Sequence, residues 1–426
     1  MNKYTTVLLF CFVTLSTLTC AKTDVLTASA MVDVEQGQLL QNPVITIEDG
    51  VITNVVSNRT PDIPDNATHI DLSGMTILPG LMDMHVHLTS DADKHGYKRL
   101  AYSVPCKAIA GVVNANKTLM AGFTTVRNVG APAYTDVALR DAINDGLVPG
   151  PRMYVSGPSL GVTGGHCDSN LLPFDYNVKA EGVADGPWAV REKMRQNIKY
   201  GADVIKLCAT GGVLSKGTKV GAQQYSLEEM QAIAAEAKLR GIVTAAHAHG
   251  NEGIKTAIKA GINSIEHASF LDDEAIQLAV KHGTYFSMDI YTTEYILGEG
   301  EKAGILQESL DKERKVGKTQ RDSFSAAVKA GVKMVFGSDA GVYPHGTNGQ
   351  QFSRMVQFGM SPMQAIQAST INAATLLRKE QEIGSISVGK YADIVAVPGD
   401  PIENISLLAD IPFVMKSGTI YKHSSE

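Results

Sequence analysis

No run of lysine and arginine occurs anywhere in the 426 residues, and 38 basic against 44 acidic side chains leave a formal net charge of −6. Without a cationic stripe the chain has no footprint for nucleic acid or for an anionic membrane surface. Cysteine is sparse as well. Beyond the first segment only Cys106, Cys167 and Cys208 occur, too widely spaced for a zinc ribbon or a disulfide framework, so a fold without disulfide staples is expected. No spanning membrane segment is present either. The apolar stretch at 7–13, with Leu15 and Leu18 after it, is too short to cross a bilayer and is flanked by Lys3 and by the polar Lys22, Thr23 and Asp24. Residues 1–21 therefore read as a signal peptide of an exported protein, periplasmic or at the cell surface. Two routes stay open: cleavage after Ala21, or cleavage before Cys20 with a lipid anchor on that cysteine.

What remains is rich in core material. Hydrophobic residues make up 44% of the chain and charged ones 19%, and the length suits one barrel with a small companion domain. Both ends carry short alternating strands: 32–34, 44–47 and 51–56 near the start, 384–397 and 413–421 near the finish, with turn residues between. A small β domain built from 22–74 and 379–426 is expected, described here as a β-sandwich. The middle, 75–378, repeats a different unit. A helical segment closes on glycine and a strand follows at once, at Gly122, Gly201, Gly241, Gly261, Gly283 and Gly331. With strands at 77–88 and 152–157 this makes eight, the number that closes a (β/α)8 TIM barrel of the α/β class. One crossover helix is well marked: Ser226 and Glu229 form a capping box, and Met230, Ile233, Ala234 and Ala237 an apolar stripe.

In such a barrel the chemistry sits where the strands end, and the polar residues fall there. His85 and His87 stand at i and i+2, so an extended strand points both to one side, half of a metal site. A Pro79-Gly80 turn interrupts the apolar run that leads to them. Lys206 ends the fourth strand, His247 and His249 the fifth, His267 the sixth and Asp339 the eighth. Imidazole and carboxylate donors of this kind suit zinc. Lys206, between Ile205 and Leu207, is costly to bury as an ammonium and loses its proton readily; as a neutral amine it can take up carbon dioxide to form a carbamate.

The motifs PGLMDMHVHL, VIK, TAAHAHG, IEHAS and FGSDAG, in that order, resemble those of the amidohydrolase superfamily. The GGH-x-D loop at 164–168 and the stretch 224–229 are similar to the branch of bacterial Xaa-Pro dipeptidases and carboxypeptidases related to prolidase. Cys167 stands where that branch more often has glycine. The resemblance implies a distorted barrel and two zinc ions or other divalent metals per chain. His85, His87 and Asp339 hold one ion and His247 and His267 the other, with carboxylated Lys206 as the bridge. It implies a metal-bridging hydroxide that attacks the amide of a dipeptide, or of a C-terminal residue, with Asp339 as catalytic proton shuttle. His166 and Tyr225, on loops above the rim, are the expected substrate contacts, and His249 a substrate or supporting contact. Asp289, Tyr291, His345 and Asn348 are further substrate candidates; Arg127 and Asn128 are expected to pair within the rim. Two other readings stand beside this one. A cyclic amidase resembling imidazolonepropionase would use one metal and lack the lysine, and a non-catalytic metal- or solute-binding surface protein would not need Asp339. A homo-oligomer is allowed by the sequence but not specified.

Overall fold

The computed structural model describes residues 22–59, 61 and 63–424; the expected leader, with Cys20 and Ala21, lies outside them. The chain opens with β1 (Thr23–Asp33), β2 (Gln38–Gln41), β3 (Pro43–Glu48), β4 (Val51–Ser57) and β5 (Thr68–Pro79). Next come β6 (Leu81–Val86), β7 (Phe123–Asn128), β8 (Arg152–Val155) and β9 (Val204–Cys208). They are followed by β10 (Val243–Ala248), β11 (Ser264–His267), β12 (Tyr285–Ser287) and β13 (Lys333–Val335). The chain closes with β14 (Ile394–Pro398), β15 (Phe413–Lys416) and β16 (Thr419–His423).

Antiparallel pairing of β14 with β5 joins the two ends of the chain. Where a sandwich was expected, hydrogen bonding joins all eight terminal strands into one sheet, in the order β16-β15-β14-β5-β1-β3-β4 with β2 on β1. Its apolar face gathers Leu26, Ile45, Ile47, Ile70, Leu72, Ile394 and Phe413 into a core of its own. β5 alternates buried Ile70 and Leu72 with exposed neighbours, then is buried throughout from Thr76 to Pro79. The strand therefore runs past position 74, where the sequence reading ended this region, and the site strand begins only at Leu81. Gly80 separates the two. Its N–H donates to the Asp393 carbonyl, and a Cβ there would lie 2.2 Å from Thr124 Oγ1, so only glycine passes between the sheets.

The eight middle strands form two parallel arcs, β6-β7-β8 and β13-β12-β11-β10-β9. Backbone bonds link the arcs at both edges: Asp203 N–H to Val155 O and Leu160 N–H to Lys206 O on one side, Met84 N–H to Phe336 O and Asp339 N–H to His85 O on the other, each 2.8 Å. Nearly every residue of these strands is buried, as parallel strands covered by helices require. The six punctuating glycines all have left-handed φ, from 67° to 99°, so each turns the chain from helix toward strand. The capping box at Ser226 is formed in both directions.

Candidate active site

The C-terminal ends of these strands converge on one cavity of roughly 580 Å3. From β6 come His85 and His87, their ring centroids 5.4 Å apart. Asp339, in the turn after β13, places Oδ1 3.3 Å from His85 Nε2 and 3.4 Å from His87 Nε2. Of the opposite ring nitrogens, His87 Nδ1 is hydrogen-bonded to the Gly130 carbonyl at 3.2 Å, whereas His85 Nδ1 lies 3.0 Å from Glu266 Oε2 as a close charge contact without hydrogen-bond geometry. At His87 a proton held on Nδ1 by that carbonyl fixes the tautomer and leaves the Nε2 lone pair facing inward. A second group comprises His247, His249 and His267, one ring nitrogen of each within 4.8 Å of the others. Two of the three have an outer nitrogen held, His267 Nδ1 2.7 Å from Asp289 Oδ1 and His249 Nδ1 2.7 Å from Ser269 Oγ.

Lys206 belongs to the same cavity. It is 3% exposed, and its Nζ has no hydrogen-bond partner among the described residues. Burial pulls its pKa down to about 8 against the opposing pull of Glu266 and Asp339. His247 Nε2 is also buried without a partner, and burial together with His166 and His267 holds that imidazole neutral. Asp339 stays ionised: burial works against it, but His85 and His87 outweigh burial. Orphaned buried polar atoms are expensive in a packed core. Imidazoles, an ionised carboxylate and an unpartnered amine together fit a divalent metal centre.

Comparison with known proteins decides the family. Residues 76–422 match the amidohydrolase family. The chain belongs to that family. The ochratoxinase of Aspergillus niger is 31% identical over 411 residues, covering 91% of this chain and 84% of the relative. The structure of a Xaa-Pro dipeptidase with methionine bound in its active site is 39% identical with a TM-score of 0.89, across 94% of this chain and all of that one. A prolidase complexed with N-methylphosphonate-L-proline is 32% identical with a TM-score of 0.87, across 95% of this chain and all of that one. The protein is thus a hydrolytic enzyme whose structural neighbours include peptidases.

Around the centre of this amidohydrolase, some expected contacts move. His166 lines the cavity, stacked on His247 at 4.0 Å, with Nδ1 2.8 Å from Ser215 Oγ. Tyr225 does not line it. That side chain is fully buried in the apolar core and its hydroxyl donates to the Ala184 carbonyl, because the 224–229 stretch turns inward to start a helix. Asp289 does reach the cavity, but it is bound to His267 and to Gln320 Nε2. Asn348 holds Asp83 and Ser338, His345 holds the His87 carbonyl, and Tyr291 packs on Tyr343, none of them at the cavity wall. Arg127 and Asn128 do pair internally, with Glu266 and Asp136. The expectation of no disulfide is overturned: Cys167 and Cys208 are bonded, brought together by the fold across 41 residues.

Three functional features escaped the sequence reading. Glu266 precedes His267, and strict alternation would turn one of them away; the left-handed φ of 70° at His267 lets both face inward. Asp289, expected only as a substrate candidate, is also the acceptor for His267 Nδ1. Arg99 and Lys107 line the cavity without a hydrogen bond or ion pair from their side chains among the described residues. Their separation from the motifs in sequence gave no signal.

Proposed function

We propose that this amidohydrolase cleaves the amide bond of dipeptides, or releases a C-terminal residue, at a binuclear centre held by His85, His87, Lys206, His247, His267 and Asp339. The observation that carries this reading is the buried, unpartnered Lys206 in one cavity with two imidazole groups, in which His87, His249 and His267 are already held by their outer nitrogens. A carbamate on Lys206 would turn an orphaned amine into an anionic bridge. Two divalent ions, zinc in this reading, supply Lewis acidity and a water acidified to near neutral pH when bound. Asp339 takes the proton from the attacking water and passes it to the departing amine, a role suited to a carboxylate held ionised beside His85 and His87. His249, held by Ser269, supports the second histidine group. The eight strands act as one closed, distorted (β/α)8 barrel that presents these groups from its C-terminal rim.

Substrate polarity follows from the wall of the cavity. His166 offers a ring nitrogen near the centre, and Arg99 and Lys107 bring two unpaired cations to the same cavity. A free carboxylate is the group such a wall recognises. The peptide names carried by the neighbouring structures support this reading. The Cys167–Cys208 bond supports export, since disulfides persist in oxidising compartments.

A panel of dipeptides offered as free acids and as C-terminal amides to the zinc-loaded protein tests the proposal. The free acids should be cleaved about a hundredfold better in kcat/KM, because amidation mispairs the donors, and Arg99→Ala or Lys107→Ala should narrow that ratio. Equal kcat/KM for the two forms would remove the dipeptidase reading and favour a cyclic amide as substrate.

A further inference from the structure

The cysteines that the fold brings together sit inside the site. Cys208 ends β9, two residues beyond Lys206, and is buried; Cys167 follows His166 directly; both line the cavity. Their bond fastens the loop that carries His166 to the strand that carries Lys206. We propose that the Cys167–Cys208 disulfide is a positioning device, which holds His166 over the histidine cluster so that breaking it weakens substrate binding while leaving the metal-binding residues in place.

The loop needs such a fastening. Between Gly161 and Gly182, Leu171 is the only buried apolar side chain, and 173–179 are exposed throughout. A segment with so little apolar burial has no core to fix it. Its other ties are polar: His166 N–H to Gln224 Oε1 at 3.0 Å, His166 Nδ1 to Ser215 Oγ at 2.8 Å and Thr163 to Asp185 at 2.6 and 2.9 Å, while Asp168, accepting from Gly164 and Ala180 N–H, and Asn170, donating to the Gly165 carbonyl, bond within the loop. The surroundings are shaped for the bridge. A Cβ at Gly161 would lie 2.7 Å from Cys167 Cβ, and one at Gly212 would lie 2.3 Å from His166 Cε1 and 2.7 Å from His247 Nε2. Both glycines leave room for the cysteine and the histidine to approach. The histidines, Lys206 and Asp339 come from the strand ends, so loosening the loop does not release them.

The bond opens by thiol–disulfide exchange with a small dithiol. The thiolate attacks the Cys167 sulfur, the more accessible of the two; the S–S bond breaks and Cys208 leaves as a thiolate that takes up a proton. The second thiol of the reductant then displaces Cys167. The reductant ends as a cyclic disulfide and the protein as two thiols, with two electrons and two protons transferred.

The test follows the full-length protein before and after dithiol treatment, and the Cys167→Ala/Cys208→Ala double variant beside it. Peptide mapping of the untreated protein should recover residues 167 and 208 in one linked pair. Reduction should speed amide hydrogen exchange across 161–170 but not across β9 or β10. With a dipeptide substrate, KM should rise about tenfold or more, as a displaced binding group implies, while kcat changes less and bound metal is retained. The double variant should match the reduced protein and ignore the dithiol, which also controls for metal taken by the reductant. Free thiols at both positions in the untreated protein would overturn the proposal, as would unchanged loop exchange and KM after reduction. The effect on KM rests on the peptidase reading, but mapping and exchange do not: a linked, protected loop in a protein that cleaves no dipeptide would sink that reading and keep the fastening.

Discussion

Glu266 serves two neighbours with one carboxylate: Oε1 is 2.8 Å from Arg127 Nη2, and Oε2 faces His85 Nδ1. Arg127 is fully buried, so Glu266→Gln would leave a guanidinium without its anion, at a cost of about 3–5 kcal/mol. Chemical denaturation should show that loss, and His85, deprived of its carboxylate, should hold metal more weakly. A second buried acid makes a pH-dependent prediction. Burial pushes Glu313 up to about 7, against the Thr293 hydrogen bond, so folding favours its protonated form. Its contribution to stability is fullest below the usual carboxylate pKa, declines as pH rises toward 7 and is flat above. Glu313→Gln should therefore gain stability relative to the parent between those limits, and equal pH profiles of unfolding for the two proteins would refute it. The inward residues found from sequence were legible because each is a polar residue ending an otherwise apolar strand. Glu266 was not, since the left-handed turn at His267 is a property of the folded backbone. Tyr225 misled because it stands just before an exposed helix start, at Ser226 and Leu227, while its own side chain turns into the core.

At the level of elements, the rhythm of helix, glycine and strand located six of the eight parallel strands, because positive φ at a helix end has a residue signature. The break between β5 and β6 had a weaker one. Residues 77–84 form one nearly apolar run, and burial on both sides of Gly80 hides the change of sheet. The turn after β9 carries a stricter requirement. Gly212 sits against both His166 and His247, so Gly212→Ala should displace two imidazoles by a few tenths of an ångström or more and cost about tenfold in activity. Circular dichroism and melting should remain close to the parent. Full activity in that variant would mean that neither histidine needs its present position.

For the molecule as a whole, the sheet built from both termini was readable because each end carries alternating strands that cannot bury a face alone. The disulfide was not readable, as 41 residues separate its halves and the fold brings them together where Leu160 pairs with Leu207 beside β9. Arg99 and Lys107 likewise become part of the site through the fold, from a segment with no motif. The central claim is that Lys206 joins two metal positions into one catalytic centre. Its most direct test titrates metal-stripped protein with zinc and follows bound metal and dipeptide turnover in the same sample. Turnover should rise until two equivalents per chain are bound, whereas Lys206→Ala should fall short of that stoichiometry and recover in part with added short-chain carboxylates. Full turnover at one equivalent, or a Lys206→Ala protein with parental metal content and rate, would contradict the account.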